Sequence, residues 1–316
     1  MKKVKRLMGI SMALVLSFSL LAGCGAKSSS ETKQKVIGVA IADFSDQFQV
    51  YVMNGMKETA AKYPDVKVIY VDAKYDGQKQ ISEVENLITQ QVDAIVIFAV
   101  DDNTAIVAAK KINEAKIPLI AVNRALPDPS LAVSFIGSEN ITSGEIEMTE
   151  LAKQLNGKGN IVILNGTMGT SPQRDRHTGY TNILKNFPDI KIIAENTADW
   201  ARDKGMKITE DWLQTGKKID AVLAENDEMA IGALKAVIDG GFKGKIKVCG
   251  IDATPEALDY VKKGELAFTV FQDALGQGQG SIDTAYKVIM KEKVEENIEI
   301  PYQLVTKDNV DKFLAK

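Results

Sequence analysis

The stretch AVLAENDEMAIGALKAVI, residues 221–238, changes character in its middle. Residues 221–223 form a short apolar run, while residues 229–238 repeat apolar side chains at helical spacing. Between them stand an amide, Asn226, and two acids, Asp227 and Glu228. A buried strand that stops at a polar corner and turns into a helix is one βα unit, the building block of an α/β sheet. The two acids leave three readings open: acid–base chemistry, a metal site, or the opening of the helix.

The same unit recurs along the chain. Apolar runs fall at 36–42, 66–71, 94–100, 118–122 and 133–136, and a second series follows at 161–164, 190–194, 221–223, 246–251 and 267–271. Most are continuous and β-branched rather than alternating, as parallel strands buried on both faces require. Val50, Met53, Met56, Ala60 and Tyr63 recur at helical spacing between runs, as do Ile81, Val84, Leu87 and Ile88. Segments 105–115, 146–155 and 282–290 behave alike. This alternation predicts an α/β fold. Ten strands exceed one comfortable sheet, so two Rossmann-like, doubly wound parallel-sheet lobes are expected. In such sheets ligands bind beyond the carboxyl ends of the strands, at the point where strand order reverses.

The start of the chain belongs to another class. Lys2, Lys3, Lys5 and Arg6 precede an apolar run at 7–21, the pattern of a secretory leader. That run is shorter than the roughly 20 residues a spanning helix needs. Leu21-Ala22-Gly23-Cys24, followed by a Ser-rich stretch, resembles a bacterial lipoprotein signal with cleavage before Cys24 and lipid on its sulfur. Residues 1–23 then form the leader and 24–35 a tether. The expected location is extracytoplasmic, anchored to the outer face of the cytoplasmic membrane by acyl chains worth about 0.8 kcal/mol per buried CH₂. Cys249 would be left without a partner and reads as an inert core thiol. A net charge of −3 carries no basic excess, which argues against nucleic acid as the main partner.

Most motifs that would carry reaction chemistry are missing. His177 is the single histidine, so a His/Cys zinc site is disfavoured, and no G-x-S-x-G elbow supports a serine triad. Asp72 to Gly77 with Glu83 approaches a calcium loop, but Lys74 stands where an oxygen ligand belongs. Gly276-Gln-Gly-Gln-Gly280 does not match a dinucleotide fingerprint and reads as a flexible crossing or close helix packing. No metal and no cofactor are expected, and no enzymatic activity. What remains is a set of residues just beyond strands: Asp46 and Phe48, Asn123 and Arg124, Arg176, Trp200, Asn226, Asp252 and Gln272. Each alone has an ordinary explanation, as a cap or a surface pair. Together they offer carboxylates, amides, guanidinium groups and aromatic faces, which suits a small polyhydroxylated ligand.

Residues 224–234 (AENDEMAIGAL), 250–256 (GIDATPE) and 169–176 (GTSPQRDR) resemble the type I periplasmic binding proteins, specifically the ribose/galactose group that serves ABC sugar importers. The resemblance covers about residues 35–306. It implies that the nine residues named above contact a sugar or polyol, and that the protein is a monomer working with ABC permease subunits. It implies lobe 1 at 36–138 and 273–300, lobe 2 at 139–272 and 301–316, and hinge strands near 138–140, 272–274 and 299–302. It assigns Asn226 to the ligand, Asp227 to capping the helix, and Glu228 to the positive helix end.

The match is mixed in detail. Asp46 and Asn123 fit the galactose/glucose type, Arg124 fits the ribose type, and Gln49 replaces a second aromatic. Thr170 and Pro172 stand where galactose-type members place His and Asp. A hexose, a pentose and a cyclitol such as inositol all remain open. The same scaffold also serves receptors that pass closure to a membrane kinase or chemoreceptor, which is the alternative. A sugar-responsive repressor would carry a DNA-binding segment where this chain has its leader. A glycosidase would need flanking carboxylates, for which Asp46 and Asp252 are candidates. For the anchor, Cys24→Ser should move the protein from the detergent phase to the aqueous phase in phase partition. An uncleaved, membrane-bound variant would overturn the lipid assignment.

Overall fold

The computed structural model describes residues 34–314. The expected leader, Cys24, all but the last two tether residues, and 315–316 lie outside the described residues. The first half of the chain forms β1 (Lys35–Ile41), α1 (Gln47–Ala60), β2 (Val66–Asp72), α2 (Gly77–Thr89), β3 (Ala94–Ile97), α3 (Asp102–Glu114), β4 (Leu119–Val122) and β5 (Ser134–Gly137). Then follow α4 (Asn140–Gln154), β6 (Lys158–Asn165), α5 (Ser171–Leu184), β7 (Asp189–Thr197), α6 (Arg202–Gln214), β8 (Ala221–Ala224) and α7 (Asp227–Asp239). The last elements are β9 (Lys247–Asp252), α8 (Pro255–Lys263), β10 (Phe268–Phe271), α9 (Ala274–Ile289), β11 (Asn297–Glu299) and β12 (Gln303–Val305).

The strands form two six-stranded sheets, ordered β11-β5-β4-β3-β1-β2 and β12-β10-β9-β8-β6-β7. Every pairing is parallel except β10 with β12. All ten apolar runs are strands, and the two α/β lobes are those expected. Each sheet gains a short sixth strand, β11 and β12, that the sequence does not announce. These strands are three residues long, and only Val305 of the six residues is buried, so burial imposes no run of apolar residues on them. Strand order reverses between β1 and β3 in the first sheet and between β6 and β8 in the second, which fixes where a ligand would bind.

Continuous apolar runs follow from helices on both faces. Ile37, Val39 and Ile41 of β1 pack with Val52 and Met56 of α1 and Ile282 of α9. Their neighbour Ala40 points to the opposite face, with Val84, Leu87 and Ile112, as strand pleating dictates. The second sheet repeats the plan, with Val162 and Leu164 facing α7 and Ile161 and Ile163 facing Met148 and Tyr180. Cys249 is fully buried in that layer as a free thiol, in keeping with an inert core role.

The chain passes between sheets three times. β5 in the first sheet leads to α4 on the second, β10 leads back to α9 on the first, and β11 leads to β12. The glycine-rich stretch 276–280 is not a crossing but the interior of α9. A Cβ on Gly278 would collide with the carbonyl of Val52 in α1, and one on Gly55 with the carbonyl of Leu275 in α9. The two helices therefore meet backbone to backbone. Gly278→Ala should lower unfolding stability by about 1–3 kcal/mol through overpacking, read from the midpoint of a denaturant melt. An unchanged midpoint would mean the helix pair can spread without cost.

Candidate functional site

The nine strand-end residues, spread over more than 200 positions, line one cavity between the two sheets, together with Gln49, Phe98 and Pro172. From the first lobe, Asp46 caps α1 by accepting the Gln49 N–H at 3.0 Å. Its other oxygen accepts the Tyr75 hydroxyl, which also receives Gln49 Nε2 at 3.0 Å. Asn123 donates to Gln277 Oε1 at 2.9 Å, and Gln277 in turn donates to Ser138 Oγ at 3.3 Å. The Arg124 guanidinium donates to the carbonyls of Ala99 and Val100 at 2.6 and 2.8 Å and lies over the rings of Phe98 and Tyr75.

From the second lobe, Arg176 of α5 donates through Nη1 to the Glu225 carbonyl. Its Nη2 reaches Gln272 Oε1 at 2.9 Å and the Tyr302 hydroxyl at 3.2 Å. The Trp200 ring lies against the same guanidinium and over Gly166, where any Cβ would collide with the indole. Asn226 caps α7 through Met229 N–H at 2.9 Å and donates to the Trp200 carbonyl at 3.2 Å. Asp252 closes β9 with its side chain on the cavity. Asn123, Trp200, Asp252 and Ala253 all have positive φ, a strained conformation that clusters where side chains must be aimed.

One assignment changes. Asn226, not Asp227, is the α7 cap, because Asn226 holds the extended backbone a cap needs (φ −153°, ψ 168°). Asp227 is one residue inside the helix, fully buried, and accepts Thr254 N–H at 2.8 Å and the Thr269 hydroxyl at 2.7 Å. Glu228 lies in the first turn of α7 as expected and also pairs with Arg202 at 2.9 Å. His177 is part-exposed beside Glu195 and does not line the cavity. Among the described residues no group of three or more His, Cys, Asp or Glu could hold a metal ion. The sequence missed Phe98 and Tyr75. Phe98 lies within the apolar run 94–100 and looks like core, but β3 stops one residue earlier, at Ile97. Tyr75 sits in the loop after β2 with positive φ, where only its hydroxyl partner reveals its role.

The lips of the cleft touch. Asp102 at the start of α3 donates its N–H to the Gly169 carbonyl at 3.1 Å and pairs through its carboxylate with Arg174. Within the cavity the hydrogen-bonding balance is incomplete. Arg124 Nε, Arg176 Nε, Trp200 Nε1 and Gln272 Nε2 are buried donors without a partner. Asp46 and Asp252 supply carboxylate acceptors on the same walls. A hydroxyl that both donates and accepts would satisfy both kinds of group. Among the described residues no serine or cysteine lines this cavity.

Behind Asp252 lie further buried acids. Burial pushes Asp252 and Glu225 well up from the ordinary carboxyl range, with Arg176 opposing the shift on Asp252 and the Gly166 N–H and Arg176 opposing it on Glu225. Burial also pushes Asp227 to about 7 against its threonine bonds, and Glu147 to about 8 against the Tyr180 hydroxyl at 2.5 Å. Burial works against the Arg176 guanidinium, but Tyr302 and Asp252 more than offset it and hold its pKa above the ordinary arginine value. An acid whose folded pKa exceeds its unfolded value of about 4 holds its proton more tightly when folded, so stability falls as pH rises between the two values. The ligand-free protein should therefore melt at a lower temperature at pH 8.5 than at pH 5.5, and Asp227→Asn should flatten that slope. A melting temperature that rises over this interval would contradict the buried-acid account.

A family model described as "Periplasmic binding protein domain" matches residues 37–293. A solved ABC transporter solute binding protein from Bacillus halodurans C-125, with bound myo-inositol, is 42% identical. It superposes with a TM-score of 0.88 over 91% of this chain and 99% of that one. A protein of Rhizobium meliloti, provisionally named rhizopine-binding, is 38% identical over 91% of this chain and 95% of its own. The ribose import binding protein of Bacillus subtilis is 32% identical over 94% and 98%. With two such lobes and the cleft between them, this chain belongs to the periplasmic binding protein family, in the type I group of ribose/galactose kind.

Proposed function

We propose that this chain is the substrate-binding lipoprotein of an ABC importer and that it carries a monosaccharide or polyol, with a cyclitol such as myo-inositol as the best fit. The observation that carries this reading is the set of four unpartnered buried donors and two carboxylates around one interlobe cavity. A buried donor left unpaired costs about 1–3 kcal/mol, a penalty that a ring bearing a hydroxyl on every carbon would lift from both lobes at once. Phe48 and Phe98 on one side and Trp200 on the other offer faces for the ring's C–H surface. The ligand of the 42%-identical relative supports a cyclitol over an aldose.

In this reading the nine residues are ligand contacts, 36–138 with 273–300 and 139–272 with 301–316 are the lobes, and the three passages between sheets are the hinge. Lobe opening would break the Asp102 contacts to Gly169 and Arg174 and admit the ligand, and the closed form would be offered to the permease. Cys24 would carry the lipid that holds the protein at the membrane.

Thermal-shift measurements with myo-inositol, ribose, galactose and xylitol should rank the ligands, since a ligand at 100 times its Kd adds about 2.7 kcal/mol. With the best ligand, Asp252→Ala should lose at least about tenfold in affinity, Trp200→Ala more than about 1 kcal/mol, and tryptophan fluorescence should change. If no monosaccharide or polyol shifts the melt at millimolar concentration, the cavity serves another ligand class.

A further inference from the structure

Asp227 stands behind the cavity rather than on it. It is fully buried in the first turn of α7 and is absent from the cavity wall. Its carboxylate reaches across to the neighbouring strands: Oδ2 accepts Thr254 N–H at 2.8 Å and Oδ1 accepts the Thr269 hydroxyl at 2.7 Å. The Thr269 oxygen in turn accepts the Ala253 N–H at 3.3 Å. Both chains of bonds therefore end on the two residues that follow Asp252. Those residues need holding, because Asp252 and Ala253 have φ values of +132° and +56°. Conformations of this kind persist only where their surroundings over-determine them. β9 also passes directly against the carboxylate, since a Cβ on Gly250 would meet Asp227 Oδ1 at 2.6 Å.

We propose that Asp227 is a positioning residue for ligand binding: its carboxylate holds the turn at Asp252 and Ala253 in its positive-φ form and so keeps Asp252 on the cavity. The inference rests on the reading of that cavity as a polyol site. Asn226 does the capping, so the acid is not needed for that purpose. Without the carboxylate the Thr254 N–H loses its acceptor and the Thr269 hydroxyl is free to rotate. The turn then relaxes toward extended backbone, and Asp252 swings away from Arg176. An amide at 227 can replace both bonds, accepting from Thr254 and donating to the Thr269 oxygen.

The test uses Asp227→Ala, Asp227→Asn and Thr269→Val, titrated calorimetrically with myo-inositol well below each melting temperature. Asp227→Ala should weaken binding about tenfold or more, and Thr269→Val by about threefold or more. Asp227→Asn should stay within about threefold. In an Asp252→Ala background Asp227→Ala should add less than about twofold, because interacting residues are non-additive. An equal loss in both backgrounds overturns the proposal, as does full affinity in Asp227→Ala. If Asp227→Ala does not fold, Thr269→Val carries the test. A second readout needs no ligand: the amide-to-α proton coupling and Cα shift of Ala253 in labelled protein should report left-handed backbone in the wild type and Asp227→Asn, and lose it in Asp227→Ala and Thr269→Val. Left-handed signals that persist in Asp227→Ala or, failing that, in Thr269→Val overturn the positioning role whatever the protein binds. Absence of any polyol binding by the wild type sinks the functional reading alone.

Discussion

A full positive charge sits in the interior of the second lobe, and the cavity is organised around keeping it satisfied. Taking a guanidinium out of water costs several kcal/mol, and Arg176 is only 3% exposed. The cost is met by groups from four places: the Glu225 carbonyl after β8, Gln272 after β10, Tyr302 before β12, and the Trp200 ring after β7. Tyr302 donates onward to Asn140 at the start of α4 at 2.7 Å. One buried charge thereby ties the ends of separate strands, and all three passages between lobes, to a common point. Arg124 does the same on a smaller scale in the first lobe, with the carbonyls after β3 and two aromatic rings.

Charges placed this way leave capacity to spare. Each guanidinium has an Nε that no protein group meets, and of the two carboxylates on the cavity Asp252 is set on backbone that is itself strained. The walls are thus fixed before any ligand arrives, which limits the ordering that binding must impose. The same rigidity explains why the acids behind the wall hold protons so strongly: they are locked in an interior where relaxation toward water is blocked.

The fold was legible because burial on both faces writes continuous apolar runs, and all ten runs are strands. The site was legible for a related reason. A polar residue at or a few places beyond the end of such a run falls at the sheet edge, so Asp46, Asn123, Asn226, Asp252 and Gln272 could be picked out from position. Side chains that continue an apolar run gave no such mark, and Phe98 was hidden for that reason. The cap register was missed by one residue because Asn and Asp are near-equal caps, and only backbone angles separate Asn226 from Asp227. α5 and α6 carried no clear apolar period, because the buried residues of α5 are mostly polar or small and only Gly205 and Thr209 of α6 are buried.

The return of α9 and β11 to the first sheet sets an order of events during synthesis. Ile37, Val39 and Ile41 are among the first strand residues made, yet their face is closed by Ala274, Ile282 and Ala285. The segment from α4 to β10 is continuous in sequence and forms most of the second sheet by itself. Chains emerge N-terminus first and domains tend to fold as units. The lobe begun first is therefore completed only after the core of the other has been made. A chain that must cross a membrane before folding gains from that delay, because its leading half stays without a finished core until almost the whole length has emerged.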